Sequence, residues 1–272
     1  TDNLSDPEIA LPGEYFNPVA YAGTGAASQA QTVGFQPDFV WIRNRTEAEQ
    51  NNELVDSVRT NSHFLISDTN SKNQTIAATS FQTFDSNGFT VGADGMNGAD
   101  GDNYISWNWK VGGAPTATNV ATTGVMTSGS VFQDGVSNTS FTPGSDIYPK
   151  KISANTTAGF SIIKYEGNGD PGDSGQTIAH GLSQAPELGF FKNLDENRDW
   201  LAGATPVGWT EYASLNDAAG FADEASVWRD TAPTASFITI GNSNSNNTSG
   251  EDYICYAFHS IKGYSKVGSY GG

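Results

Sequence analysis

The stretch Pro37-Asp-Phe-Val-Trp-Ile-Arg-Asn44 recurs 149 positions downstream as Pro186-Glu-Leu-Gly-Phe-Phe-Lys-Asn193. The same offset places Gly101-Asp-Asn-Tyr-Ile105 on Gly250-Glu-Asp-Tyr-Ile254. A fixed spacing between several ordered motifs is the signature of an internal repeat. The chain is therefore predicted to fold as two tandem copies of one unit.

Two further matches extend the duplication. Phe89-Thr-Val-Gly92 falls on Phe237-Ile-Thr-Ile-Gly241 within one residue of the offset, and Phe16-Asn-Pro-Val-Ala-Tyr21 resembles Phe160-Ser-Ile-Ile-Lys-Tyr165. The last pair is 144 positions apart, so the second copy is predicted to carry about five additional residues between its first two strands. A duplicated unit favours a scaffold or binding role, because one catalytic site does not require two whole copies.

Composition predicts an all-β fold. The 272 residues include 31 glycines, and short runs of Val, Ile, Phe, Tyr and Trp alternate with Asn, Ser and Thr. This pattern is typical of strands joined by turns. We predict two antiparallel β-sandwich domains of lectin-like or jelly-roll-like type, in residues 1–111 and 151–272. Residues 112–150, rich in Thr, Ser, Gly and Pro, are predicted to be a linker in which Asp134-Gly135 turns a small hairpin.

Alternation in Tyr104-Ile-Ser-Trp-Asn-Trp-Lys110 indicates which side of this strand is apolar. Ile105, Trp107 and Trp109 share one side, and their counterparts in the second copy are Ile254, Tyr256 and Phe258. This bulky side is predicted to face the core of its own sandwich. An alternative stays open, in which Trp107 and Trp109 form an exposed platform that stacks on sugars.

Another pair of strands is apolar on both sides. Phe39-Val-Trp-Ile42 and Leu188-Gly-Phe-Phe191 have no polar side in their alternation. Each is therefore predicted to be a central strand that is covered on both faces.

Charge and hydropathy exclude several partners. The net charge of −17 and the pI near 4.3 repel nucleic-acid phosphates and anionic lipid headgroups, so neither is expected as a partner. No run approaches the roughly 18 apolar residues of a membrane span, and Thr1–Glu8 do not resemble a signal peptide. The ending Tyr270-Gly-Gly272 looks like the opening of a further repeat, which suggests a piece of a longer protein.

Metal ligands are few. The single Cys255 and the scattered His63, His180 and His259 lack the spacing of a zinc site, and no cofactor is expected. His180, beside Gly181, is interpreted as a hydrogen-bonding turn residue rather than a catalytic base. The oxygen-rich loop 94–102 leaves two interpretations open: a calcium site, or turns that use Asn, Asp and Gly. The calcium ligands would be Asp94, Asp100 and Asp102.

Three tryptophans of the second copy have no equivalent in the first: Trp200, Trp209 and Trp228. Exposed indole rings stack on sugar faces, so these three are candidate glycan-binding residues. The alternative is that they fill the core of the second copy.

The ordered motifs resemble the repeat domains of virion structural and tail-fibre proteins of tailed phages, especially marine ones. The resemblance covers nearly the whole chain, and its motifs are Gly34–Asn44, Asp56-Ser-Val-Arg59, Phe84–Phe89, Gly101–Lys110, Ile152–Ile162, His180-Gly-Leu182 and Gly263–Tyr270. It implies a β-sandwich within an elongated, often trimeric or otherwise multimeric appendage, in contact with other virion proteins and located on the virion. It supplies no catalytic residues.

Three functions follow from the sequence. The leading one is a non-enzymatic virion component, a tail-fibre or capsid-surface segment that spaces or presents host-contacting surfaces. The second is a carbohydrate-binding module for host surface glycans. The third is a polysaccharide depolymerase, which requires a pair of carboxylates in a cleft. Adjacent acids such as Asp195-Glu196 or Asp223-Glu224 are too common in this acidic chain to identify such a pair.

Overall fold

The structure is a computed structural model that describes residues 6–270. Thr1–Ser5 lie outside the described residues, as do Gly271 and Gly272, on which the expectation of a further repeat partly rests. The fold is nearly all-β, with one short helix and one 3-10 turn among the described residues. In this part of the chain no helix has the length and apolar character needed to cross a membrane.

The first repeat begins with the 3-10 turn Pro12–Glu14 and contains nine strands. These are β1 (Phe16–Ala22), β2 (Gln29–Thr32), β3 (Phe39–Asn44), β4 (Glu53–Asp56), β5 (His63–Ile66), β6 (Gln74–Thr75), β7 (Phe81–Asp85), β8 (Gly88–Val91) and β9 (Asn103–Trp109).

The remainder of the chain contains eleven strands and one helix. These are β10 (Val131–Gln133), β11 (Val136–Ser137), β12 (Lys151–Asn155), β13 (Phe160–Glu166), β14 (Gln176–Ala179), β15 (Leu188–Asn193), β16 (Leu201–Ala204), β17 (Gly208–Ser214), β18 (Ala222–Asp223), α1 (Ala225–Trp228), β19 (Phe237–Ile240) and β20 (Asp252–Phe258).

The two repeats share one strand order. The large sheet of the first repeat runs β1-β9-β3-β4-β5-β6, and the second repeat contains the corresponding order β13-β20-β15-β16-β17-β18. A small sheet accompanies each large one, β2-β8-β7 in the first repeat and β14-β19 in the second. The predicted tandem duplication and the all-β class are therefore confirmed.

Each repeat is a sandwich with its own core. In the first repeat, Val40 and Ile42 of β3 pack in one cluster with Phe89 and Val91 of β8. In the second repeat, Phe191 of β15 occupies the corresponding cluster with residues of β14 and β19. The other side of β3 carries Phe39 and Trp41, which belong to a third cluster. The prediction that this strand is covered on both faces is confirmed.

Residues 112–150 lie against the second repeat. Asp134 and Gly135 have positive φ and turn the hairpin between β10 and β11, while β10 pairs in parallel with β12. Asn, Asp and Gly favour the left-handed backbone that such a two-residue turn needs. Met126, Val131 and Ile147 contribute apolar side chains to the core of the second repeat, so the segment extends that sandwich.

One edge of the large sheet differs between the two repeats. In the second repeat β12 pairs with β13, and Ile162 lies opposite Ser153. In the first repeat the same position of β1 is Pro18, whose register partner on β9 is Trp107. Tyr15 and Gly23, at odd-numbered positions, make backbone hydrogen bonds toward β9. Because these bonds alternate along an antiparallel pair, the even-numbered Pro18 points its backbone nitrogen away from β9, toward the free edge of the sheet, and that nitrogen carries no hydrogen. Proline there opposes pairing with another chain.

The predicted inner face of β9 is wrong. Tyr104, Ser106 and Asn108 are fully buried inside the sandwich, whereas Trp107 and Trp109 are half-buried on the opposite side. The polar inner residues bond to one another and to the backbone, because the Asn108 amide nitrogen donates to Ser106 Oγ at 2.9 Å and to the Asn17 carbonyl at 2.8 Å, although Asn108 Oδ1 has no partner. Hydrogen bonding removes most of the cost of burying such groups. Alternation was predicted correctly, but the side that faces inward was not.

The same group of hydrogen bonds around one asparagine side chain occurs at one end of each sandwich, and we call it the polar latch. In the first repeat the Asn44 amide donates to Asp102 Oδ2 at 2.9 Å and to the Gly95 carbonyl at 2.9 Å. In the second repeat the Asn193 amide donates to Glu251 Oε2 at 2.6 Å and to the Asn244 carbonyl at 3.2 Å. The recurrence of Asn at the end of β3 and β15, and of an acidic residue just before β9 and β20, therefore has a structural cause.

One core residue of the first repeat is titratable. Glu53 is fully buried and accepts hydrogen bonds from Ser80 Oγ at 3.1 Å and from Asn97 Nδ2 at 2.7 Å. Burial raises the pKa of Glu53 from 4.5 to about 7, and these two hydrogen bonds offset the effect only in part.

Glu53 should therefore make stability depend on pH. Because the folded chain holds this proton more tightly, the contribution is fully present below about pH 4.5 and is lost as the pH rises through about 7. The shift corresponds to roughly 3 kcal/mol. Between these pH values, the free energy of unfolding of the wild type should fall by about this amount relative to Glu53→Gln, as measured by urea denaturation.

The matched control is Glu49→Gln at an exposed position. Its stability curve should run parallel to that of the wild type. If the curve of stability against pH for Glu53→Gln also ran parallel to that of the wild type, Glu53 would not be desolvated as described.

Candidate functional site

The large sheets of the two repeats pack face to face. The third cluster, here called the inter-repeat cluster, takes buried side chains from both repeats. They are Phe39, Leu54, Val58, Leu65 and Val111 from the first, and Phe160, Ile162, Leu194, Trp200, Ile254 and Tyr256 from the second. The bulky residues of β9 and β20, Trp109 and Tyr256 among them, therefore face the junction between the repeats rather than the interior of their own sandwiches.

Aromatic rings cross the junction in contact with one another. The centroid of Phe39 lies 4.7 Å from that of Tyr256 and 5.7 Å from that of Phe160. The Trp109 centroid lies 6.1 Å from that of Phe160, with the rings at 71°. Tilted and edge-on pairs at these distances add to the stabilisation from burial.

The sheets do not close completely, and a cavity of about 360 Å³ lies between them. Its walls are mainly aromatic, with Trp41 and Trp109 from the first repeat and Phe190 and Phe258 from the second. The segment that follows β20, from His259 to Val267, forms another wall. We call this space the inter-repeat cavity. Clefts between packed units with apolar walls are the usual location of ligand sites.

A buried ion pair of the first repeat reaches into the second. The guanidinium of Arg59 lies 2.6 Å from Asp56 Oδ2, and both side chains are almost fully buried. Tyr256 donates its hydroxyl to Asp56 Oδ2 at 2.7 Å, and Arg59 Nη2 donates to the Tyr256 oxygen at 3.2 Å. Burial alone would lower the pKa of Arg59. The negative charge of Asp56 and the hydrogen bonds to Asp56 and Tyr256 together have the larger effect, so the pKa of Arg59 is raised.

Hydrogen bonds also join the end of β5 and the loop after it to the end of β15 and the loop that follows β15. The Trp200 indole N–H donates to the Ile66 carbonyl at 2.8 Å. The amine of buried Lys192 donates to the Asn70 carbonyl at 3.2 Å, and Lys72 Nζ donates to the Asp195 carbonyl at 2.8 Å. Burial lowers the pKa of Lys192 to about 8. The junction is therefore fixed by directional bonds as well as by apolar contact.

The three candidate glycan-binding tryptophans are core residues. Trp200, Trp209 and Trp228 are 0%, 4% and 0% exposed. Trp209 and Trp228 pack edge to face at 5.2 Å in the second sandwich, and Trp200 lies in the inter-repeat cluster. Stacking on a sugar requires an exposed ring face. The structure therefore corrects the glycan assignment at these residues and agrees with the alternative, in which they fill a core.

The calcium candidates do not converge. Asp102 accepts from the latch residue Asn44, Asp94 Oδ1 accepts from the Met96 N–H at 2.9 Å, and Asp100 is exposed. Within residues 6–270 there is no group of three or more His, Cys, Asp or Glu side chains placed to hold a metal ion. The placement of these residues agrees with the turn interpretation of the loop.

The adjacent acids have local structural contacts. Asp195 Oδ2 accepts from the Asp252 N–H at 2.7 Å, and Glu224 caps α1 by accepting from the Ser226 N–H at 3.0 Å. His180 is buried, where desolvation lowers its pKa to about 4, and its Nδ1 accepts from the Leu182 N–H at 3.1 Å. This agrees with the interpretation of His180 as a turn residue.

Sequence reasoning missed the junction between the repeats. Asp56 and Arg59 contributed to the resemblance but had no assigned role. Strand register places Ala204 of the second repeat where the first has Asp56, so the second repeat lacks the acid of this pair. A charged motif present in only one of two copies was the available signal that the copies differ in their contacts.

Comparison with known proteins gives one match. The family model described as "Domain of unknown function (DUF7483)" matches twice, over residues 11–145 and 132–272. No curated protein and no solved structure matches the chain. The two matches together span nearly all of the sequence; the first contains β1 to β9, and the second contains β12 to β20. The chain therefore belongs to the DUF7483 domain family, of which it carries two copies.

Proposed function

We propose that the chain is a non-enzymatic structural unit of a phage virion, a segment of a tail fibre or capsid-surface appendage that positions host-contacting surfaces. The observation that supports this most is the face-to-face packing of the two repeats. A shared apolar cluster and directional hydrogen bonds hold the sandwiches in one orientation. An appendage that spaces surfaces needs such a fixed joint between its units.

The surface charge agrees with this role. A net charge of −17 favours solubility and repels nucleic acid. The resemblance of the ordered motifs to virion repeat domains points in the same direction. It also suggests a homo-oligomer, trimeric or larger, that contacts other virion proteins.

The test is the location of the chain in intact particles. Purified phage particles from a producing culture would be analysed by quantitative mass spectrometry and labelled with gold-conjugated antibody against the chain. We expect several copies per particle and labelling on the tail or the capsid surface. Absence of the chain from purified particles, with abundant chain in the remaining lysate, would refute the proposal.

A second candidate is glycan binding on the first repeat by Trp41, which also lines the inter-repeat cavity, and its neighbour Trp107. Trp41 and Trp107 are half-buried neighbours whose ring centroids lie 6.3 Å apart at 71°. Partly exposed indole rings are the kind of surface on which sugars stack. This observation favours Trp107 over the three buried tryptophans as the residue to test.

A glycan array probed with the chain would separate the two candidates. If the second holds, Trp107→Ala should weaken binding by about tenfold or more, because stacking contributes on the order of 1 kcal/mol or more. Trp107→Phe is the matched control, since it keeps an aromatic face. A wild-type chain that binds no glycan would remove this candidate and leave the structural proposal intact.

A further inference from the structure

We propose that the junction between the repeats carries a binding site for one small oxyanion, a sulfate or phosphate group, held by the amines of Lys151 and Lys164. Lys151 is the first residue of β12, and Lys164 lies on β13. This inference does not depend on the proposed virion role.

The two lysines are neighbours on the face of the second repeat that turns toward the first. Lys151 and Lys164 are register partners in the antiparallel pair of β12 and β13. Side chains of such partners point to the same face, with Cβ atoms roughly 4.5–5.5 Å apart. Ile162, two residues before Lys164, belongs to the inter-repeat cluster, so this face is the one at the junction. Lys151 Nζ donates to the Val58 carbonyl of the first repeat at 3.3 Å.

The positive charges of the pair are only partly compensated. Lys164 Nζ lies 2.8 Å from Asp252 Oδ2, but the other oxygen of this carboxylate lies 2.8 Å from Lys150 Nζ. No carboxylate of the described residues lies within ion-pair distance of Lys151. Burial lowers the pKa of Lys151, the charge of Lys164 lowers it further, and Asp56 offsets these effects only in part. Like charges opposite each other destabilise a sheet, and a bound oxyanion would remove this repulsion.

An ion from solution can reach the pair. Lys151 is half-buried, and the side chain of Lys164 is 26% exposed. His63 on β5 is a third group of this region, half-buried, with its Nδ1 bonded to Ser62 Oγ at 2.9 Å. Nε2 is therefore the ring nitrogen left for a ligand. Burial lowers the pKa of His63, and the charges of Arg59 and Lys164 lower it further, so the imidazole lies in the same positive field.

The fold does not require a lysine on β13. Lys164 pairs with Ile254, and in the first repeat the corresponding partner of Ile105 on β1 is Ala20. The same sheet position therefore accepts a small neutral side chain. Facing lysines are also unusual in a chain with 13 Lys and Arg against 30 Asp and Glu.

The overall charge selects a small anion over a long one. The net charge of −17 repels an extended polyanion, whose many groups lie outside the lysine pair. A single sulfate or phosphate group within a few ångströms of two amines is governed by those amines, because more distant charges are screened by salt.

The test is equilibrium dialysis of the full chain against radiolabelled sulfate and, separately, phosphate. Low ionic strength is used because salt weakens the attraction between exposed charges. We expect one saturable site per chain. Lys151→Gln should weaken binding by about tenfold or more, because the variant loses one charge-assisted hydrogen bond to the anion.

A second variant should act in the opposite direction. Asp252→Asn removes the carboxylate that competes for Lys164, so both ions should bind about threefold tighter or more. Lys262→Gln is the matched control, because Lys262 is exposed and lies in the segment after β20. Its loss of charge is the same, and its affinity should stay within about twofold of the wild type.

Competition identifies the source of the anionic group. A sulfated disaccharide that displaces labelled sulfate better than inorganic sulfate would place the group on a sugar. A disaccharide that competes less well would assign the site to the free ion, and both results support the site. The unsulfated disaccharide should not compete.

The proposal is overturned if the wild type shows no saturable binding of either ion. It is also overturned if Lys151→Gln and Lys262→Gln bind equally well, or if Asp252→Asn weakens binding. Each variant would first be compared with the wild type by circular dichroism, and Lys164→Gln provides a second loss of charge should Lys151→Gln not fold.

Discussion

Replacing Asp56 by Asn is expected to destabilise the full chain by about 3–5 kcal/mol, because it leaves the buried guanidinium of Arg59 without a counter-charge. The carboxylate of Asp56 is fully buried and also accepts the N–H groups of Val58 and Arg59, at 3.1 and 2.8 Å. An amide keeps the shape but presents only one acceptor oxygen. Urea denaturation of the wild type and the variant measures the loss.

Two controls separate the charge from its neighbours. Tyr256→Phe removes only the hydroxyl that reaches Asp56, so its cost should be about 1 kcal/mol. The double change Asp56→Leu with Arg59→Met removes both charges and should cost less than Asp56→Asn, as is usual when a buried ion pair is replaced by apolar side chains. A stability within about 1 kcal/mol of the wild type for Asp56→Asn would contradict this account.

Replacing Trp200 by Ala should destabilise the chain by about 3–5 kcal/mol, the usual cost of a large cavity in a core. Trp200 is 0% exposed, its ring is stacked on that of Tyr256 with centroids 6.2 Å apart, and its N–H bonds to Ile66 of the other repeat. The loss should appear at the junction, because the side chain belongs to the inter-repeat cluster. Hydrogen exchange of β5 in the first repeat should therefore become faster.

Trp228→Ala is the matched control for this prediction. Trp228 is equally buried but packs in the second repeat's own core, against Phe191 and Trp209. Its replacement should cost a similar free energy of unfolding, yet the β5 amides that exchange by local opening should keep the wild-type exchange rate. Equal effects of both variants on β5 would mean that Trp200 has no special role between the repeats.

The repeat and the all-β class could be predicted from the sequence because strand motifs recur at a fixed spacing, whereas the order of the strands in each sheet was not predicted. The inner side of β9 could not be predicted from alternation alone. Both sides of this strand are covered, one by its own sandwich and the other by the second repeat. Large side chains therefore do not show which side of the strand faces the interior of its own sandwich. Ser106 and Asn108 resemble surface residues in sequence, but hydrogen bonds to each other and to β1 allow them to be buried.

The candidate site was harder to predict than the fold. The inter-repeat cavity combines residues as distant in sequence as Phe16 and Val267, and no local motif encodes their proximity. The three tryptophans unique to the second repeat attracted a binding hypothesis because their burial depends on packing that one sequence does not display. Asp56 and Arg59 were noticed as a motif, but their partner Tyr256 lies 200 and 197 positions away.

The most direct test of the central claim, that the inter-repeat cluster joins the two sandwiches into one cooperative unit, is differential scanning calorimetry of the full chain. We expect a single transition whose calorimetric and van 't Hoff enthalpies agree, because neither repeat can unfold without exposing the inter-repeat cluster. Two resolved transitions, or a van 't Hoff enthalpy near half the calorimetric value, would show that the repeats unfold independently and would contradict the claim.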